Sequence, residues 1–178
     1  MKKYKIPHNF EFTSIITLYA QWIREGRLKV NADWNKELGI KFTCHDPCNI
    51  VRKTKGEVMA RDMRFVIKTI VGEENFVDMV PCGTNNYCCG GGGGAMQGGF
   101  PEQRRAFGRI KFDQIMATGA SYVLVPCHNC HSQLIDICAH YGGNYHVTHI
   151  WTIICLALGV LGENERAYLG PDLIDFGL

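Results

Sequence analysis

Apolar residues recur at helical spacing from Thr13 to Leu28 (TSIITLYAQWIREGRL), where Ile15, Ile16, Tyr19, Trp22 and Ile23 share one face and Thr13 or Ser14 can cap the first turn. This predicts an amphipathic helix. Gly39 leads into IKFTC, a short strand, which runs through HDPC into a long helix from about Ile50 to Ile70, and Phe76 to Val80 reads as a second strand. Pro101 stands where proline is tolerated, at a helix start, and the segment it opens ends at Gly119. SYVLV is the clearest buried strand, followed by PCHNCHSQLIDICAHYGG, a helix closed by Gly142, then a strand in NYHVT and an apolar helix from about Ile150. Strands that alternate with helices imply an α/β fold, with a parallel-rich sheet and flanking helices.

Length and composition add few constraints. A chain of 178 residues with 46% hydrophobic and 20% charged residues can bury one core. We expect a single domain: a helical lead-in over 1–38, a central part over 40–140, and a carboxyl-terminal strand and helix over 144–178. The formal charge of +2 and the scattered basic residues leave no footprint for a nucleic-acid partner. The start, MKKYKIPHNFEF, lacks the apolar stretch of a secretory signal, and IWTIICLALGVLG is too short for a membrane span. The expected location is the cytoplasm, with any membrane association made through a partner.

Nine cysteines change the picture. In a reducing compartment that number points to metal binding or redox chemistry rather than to structural disulfides. Their positions are ordered. Cys44 and Cys48 follow the strand in IKFT, and Cys127 and Cys130 follow SYVLV, each pair just ahead of a helix. Ligands of open α/β sheets bind beyond the carboxyl ends of the strands. A helix amino terminus there favours thiolate, the form that ligates metal.

Between these pairs lies NNYCCGGGGG, residues 85 to 94, so the spacing is Cys48, 39 residues, Cys88-Cys89, 37 residues, Cys127-x-x-Cys130. Four thiolates can hold zinc, but structural zinc sites use paired C-x-x-C knuckles, whereas an adjacent pair suits a cluster with several irons. The glycines, Gly90, Gly91 and Gly92 first among them, offer backbone N–H groups and a wall free of side chains. Nothing after them completes a phosphate-binding loop.

With HDPC at 45–48, NNYCCGGGGG at 85–94 and VPCHNC at 125–130, the chain resembles the CCG cysteine-rich domain of subunits B and D of heterodisulfide reductase. That domain also occurs in related subunits of membrane redox complexes in anaerobic sulfur metabolism and in iron–sulfur subunits of glycolate and lactate oxidation. The resemblance implies a noncubane [4Fe-4S] cluster on Cys48, Cys88, Cys89, Cys127 and Cys130. It also implies reduction of a disulfide or trisulfide, free or on a small carrier protein. Relatives carry two such repeats, and many add a ferredoxin domain; this chain has one repeat and no C-x-x-C-x-x-C run. Its electrons are therefore expected from an iron–sulfur or cytochrome subunit, with this chain a split or truncated piece. An electron relay in glycolate or lactate oxidation and a noncatalytic interaction module are the alternatives.

Other residues carry weaker expectations. Splitting a disulfide takes up protons, so His45, His128 and His131 beside the ligands are candidate donors, His45 foremost and His128 next. Asp46 would cap the following turn or orient its neighbours. Arg104 and Arg105 face solvent or an anionic partner, Cys44 and Cys82 are small packed residues, and Cys138 and Cys155 belong to helix cores.

Overall fold

The apolar run of SYVLV becomes the centre of a three-stranded parallel sheet. The computed structural model describes residues 7, 9–170 and 173–174. Within them β1 (Phe42–Cys44), β2 (Tyr122–Val125) and β3 (His146–His149) lie in the order β1-β2-β3, with Thr43 opposite Val123 and Leu124 opposite Thr148. Every residue of β2 is buried, as a central strand covered on both faces requires.

Side chains alternate across the sheet and so feed two cores. Tyr122 and Leu124 join Phe42 and Cys44 against α1 (Ile15–Arg24), α3 (Glu57–Val71) and α6 (Ile150–Leu158). Val123 and Val125 join Val147 on the opposite face, against α4 (Pro101–Met116) and α5 (His128–Tyr141). The result is the expected layered α/β arrangement. Each fully buried Leu, Ile or Phe in these layers contributes roughly 1.5–3 kcal/mol.

Several boundaries differ from the expectation for physical reasons. Helix α1 starts where the Ser14 hydroxyl accepts from the Ile16 N–H at 3.3 Å, and it stops at Arg24, short of Leu28. The long helix expected from Ile50 is two pieces, a single wide turn over Val51–Lys55 and then α3. Gly56 separates them at φ 60° and ψ −139°, a backbone shape that a side chain disfavours. The strand expected over 76–80 is one bridge: Phe76 pairs with Phe42, and the Val77 N–H donates to the Phe42 carbonyl at 2.8 Å. Beyond it Asp78 turns to Arg64, and Pro81 has no N–H to extend a ladder.

Two short helices, α2 (Asp33–Lys36) and α7 (Glu163–Arg166), complete the described chain. Among the described residues no helix is long and apolar enough to cross a membrane. The expectations for the first residues of the lead-in and for the last of 144–178 fall partly outside the described residues. What matters for chemistry is direction: β1, β2 and β3 all end on one edge, where HDPC, Pro126-Cys127 and His149 begin their turns.

Candidate metal centre

Cys48, Cys88, Cys89, Cys127 and Cys130 all line one pocket at that edge, together with His45, Pro47, Asn49, Asn129, Gly92 and Gly93. The pocket has a volume of about 50 Å³, room for roughly four water-sized bodies and thus for more than a single ion. Cys89 and Cys130 bring their sulfurs to 3.5 Å without a disulfide, and all nine cysteines are free thiols. Cys48 and Cys88 also border a wider groove of about 530 Å³, walled by Tyr87, Phe107 and Ile110. The pocket therefore has an inner side at Cys89 and Cys130, both buried, and an outer side at Cys48 and Cys88.

The glycines after Cys89 divide by position. Gly90 has φ +87°, and a Cβ there would stand 2.8 Å from the Arg104 carbonyl oxygen of α4. A Cβ on Gly91 would meet the Gln133 side chain of α5 at 2.6 Å. Gly108 on α4 returns the accommodation, since its missing side chain makes space for the Cys89 carbonyl. Gly90 and Gly91 thus let the loop lie directly on α4 and α5, while Gly92 and Gly93 form the bare wall of the pocket.

Each cysteine loop is also tied down by polar groups. Asp46, almost wholly buried, takes a two-pronged bond from Arg64 at 2.9 and 2.8 Å and accepts from the Gly83 N–H at 2.8 Å. Arg64 simultaneously holds Asp78 at 2.6 and 2.8 Å. Asn86 donates to the Asp46 carbonyl at 2.6 Å and accepts from the buried Lys111 ammonium of α4. Arg52, in the wide turn after Cys48, binds the Asn86 carbonyl. The loops bearing Cys48 and Cys88-Cys89 are in this way joined to each other, to α3 and to α4.

The same motifs are found by comparison with known proteins. The family model for the CCG cysteine-rich domain matches residues 42–135, more than half of the chain. This chain belongs to the CCG cysteine-rich domain family. An uncharacterized iron–sulfur protein of Methanococcus maripaludis is 33% identical over 123 residues, which cover 67% of this chain and 22% of that protein. The CCG domain described here thus spans about a fifth of that relative's length.

The donors of this CCG domain fit an iron–sulfur group, because five thiols converge on one pocket and protein contacts favour the thiolate at Cys89 and Cys127. The Cys130 thiol and the backbone N–H groups of Cys130 and Asn129, at the amino terminus of α5, pull the Cys127 thiol down to about 6. Cys89 is also held well below the ordinary thiol range by Cys130, Cys88 and His45 around it. Cys88 and Cys130 are pushed up, Cys88 by Cys89 and burial, Cys130 by Cys127 and Cys89. Several thiolates cannot share so small a space without a cation among them, and the irons of a bound cluster would supply that charge.

The histidines separate. His45 lines the pocket with a nitrogen and the sulfurs of Cys89 and Cys130 all within 4.8 Å of one another, and burial holds its pKa below the ordinary range. His128 does not line the pocket; its ring stacks with His131 and His149. Arg104 and Arg105 both pair with Asp136 of α5, at 2.9 and 3.0 Å, and so are committed within the domain. Cys44 is buried in the core, Cys138 donates to the Tyr145 carbonyl at 3.3 Å, and neither Cys82 nor Cys155 lines the pocket. Sequence reasoning missed Arg64, Asn86, Lys111 and His149. Of these only Asn86 carried a signal, its place two residues before Cys88.

Proposed function

We propose that Cys48, Cys88, Cys89, Cys127 and Cys130 hold a noncubane [4Fe-4S] cluster, and that the domain is the redox part of a heterodisulfide-reductase-like assembly acting on a disulfide or trisulfide. The observation that carries this reading is the convergence of five thiols from three separate loops on one pocket that opens, at Cys48 and Cys88, into a groove. A cluster bound there would supply one-electron transfers to a sulfur–sulfur bond. Reducing that bond takes two electrons and two protons and yields two thiols from a disulfide, or a thiol and a persulfide from a trisulfide.

The chain's own residues divide the remaining work. Tyr87, Phe107 and Ile110 offer the carbon chains of a substrate an apolar wall, and Lys53 at the same groove offers a cation to an acidic end. The open groove admits water as the proton source. His45, buried against Cys89, positions that sulfur from within. Electrons come from an iron–sulfur or cytochrome subunit in the cytoplasm.

Anaerobically purified protein should contain about four irons and four labile sulfides per chain. One zinc and no sulfide would overturn the cluster assignment. With the co-purifying subunits and a reduced dye as donor, a disulfide should be consumed with release of two thiols. A loaded complex that passes electrons yet leaves every disulfide intact would leave the relay reading in its place. His45→Ala should keep its iron but shift the cluster's paramagnetic signature, which a merely structural histidine would not do.

A further inference from the structure

On the carboxyl edge of the sheet, beside the cysteine pocket, lies a second set of donors that the proposed function does not use. His128 and His131 are three residues apart at the start of α5 and share a face of that helix. His149 ends β3 next to them. A ring nitrogen from each of the three lies within 4.8 Å of those of the other two. His131 and His149 are buried and His128 is exposed, so the set has a closed side and an open one.

We propose that His128, His131 and His149 form a second, mononuclear metal site for a borderline divalent cation, Zn²⁺ being the best match. Three imidazoles with a fourth position left for water or a substrate atom are a known donor set for that ion. One of the two buried rings has a contact that sets its tautomer. The His149 Nδ1 faces the Val125 carbonyl at 3.4 Å, which fixes Nδ1 as the protonated nitrogen and leaves Nε2 its lone pair. Metal-bound histidines almost always donate their other N–H in this way.

Packing alone accounts for the group less well. Rings of His131 and His149 stack at 4.3 Å between centroids, and Trp151 continues the stack at 4.5 Å from His149. The exposed His128 ring lies nearly parallel to the pair but farther off, 6.3 and 6.0 Å from them, beyond the spacing of the closer rings. Because His128 is exposed, its ring can turn to bring a nitrogen to the ion without disturbing the core. A cleft of about 400 Å³ that reaches His131 and Tyr168 gives the ion a path in. The bound ion would pin the first turn of α5, which carries Cys127 and Cys130, to the end of β3.

The test is titration of the cluster-loaded protein with Co²⁺ and Zn²⁺ under anaerobic conditions. Wild-type protein should take up one ion per chain, and Co²⁺ should give ligand-field bands without sulfur-to-cobalt charge transfer. His128→Ala, a surface change that leaves the fold intact, should weaken binding by about tenfold or more, and Cys155→Ser, away from both sites, should leave it unchanged. Zn²⁺ should raise the midpoint of thermal unfolding in wild type but not in His128→Ala. No uptake, uptake indifferent to His128→Ala, or a thiolate-to-cobalt charge-transfer band would each overturn the proposal. None of these outcomes depends on whether the cysteine pocket reduces disulfides.

Discussion

Replacing the glycines after Cys89 one at a time separates what the loop needs for folding from what the pocket needs for chemistry. Gly90→Ala puts a Cβ 2.8 Å from the Arg104 carbonyl oxygen and 3.1 Å from the Gly108 nitrogen, both backbone atoms that cannot swing aside. It also forces a side chain to φ +87°. The second effect costs roughly 1–2 kcal/mol, and overpacking adds about 1–3 kcal/mol, so the expected loss is about 2–5 kcal/mol. Gly91→Ala escapes the backbone strain but meets the Gln133 Cβ at 2.6 Å, for a loss of about 1–3 kcal/mol. Gly92→Ala meets nothing within 4 Å and its φ lies outside the left-handed range. It should be neutral or stabilising by about 0.4–1 kcal/mol through the unfolded chain. Urea unfolding followed by circular dichroism, without oxygen, reads the three values on one scale. A Gly92→Ala variant as unstable as Gly90→Ala would refute the assignment of Gly90 and Gly91 to packing and of Gly92 to the pocket wall.

Three further expectations concern charges around the site. Arg64→Met leaves the carboxylate of Asp46 buried with only the Gly83 N–H against it, and should cost about 3–5 kcal/mol; adding Asp46→Asn should recover part of that. A loss below about 1 kcal/mol in the single variant would show that the pair is not the anchor described. Burial lowers the Lys111 ammonium from its ordinary 10.5 to about 8. The folded state therefore binds fewer protons than the unfolded chain between those values, and stability should rise across that window, by up to about 3 kcal/mol. Lys111→Met should flatten the rise, and an unchanged slope would contradict it. Asp136 is held below its ordinary 3.8 first by Arg105 and then by Arg104. Its contribution is present above pH 3.8 and disappears as the pH falls through the folded value, so Asp136→Asn should reduce the acid sensitivity of unfolding.

How much of this was legible in the sequence depended on whether a signal was local. The strand at 122–125 and the helix at 150–158 announce themselves by apolar runs, and the helix at 128–141 by Gly142 just past its end. The break at Gly56 did not, because a lone glycine in RKTKGE does not by itself end a helix and here it decides the backbone. Residues 76–80 are apolar and β-branched enough to read as a strand, yet the pull of Arg64 on Asp78 takes the chain away after one bridge. The five cysteines of the pocket could be found from spacing. Lys111 could not, since a lysine in FGRIKFDQ reads as a solvated helix position until α4 turns it inward toward Asn86. His149, eighteen residues beyond His131, joins His128 and His131 only because α5 returns the chain to the adjacent strand.

The anchors on the cysteine loops are made by protein groups alone. Asp46 rests on Arg64, Asn86 on Lys111, the Gly90 loop on α4, and Cys127 on the first turn of α5. Small zinc modules gain their fold from the metal and unravel when it is taken away; this domain has two hydrophobic cores and wired loops to keep its shape. Damage by oxygen should therefore be repairable in place. A domain stripped of iron and sulfide would need only those two components and a reductant to be refilled, with no passage through the unfolded chain and no demand on folding machinery.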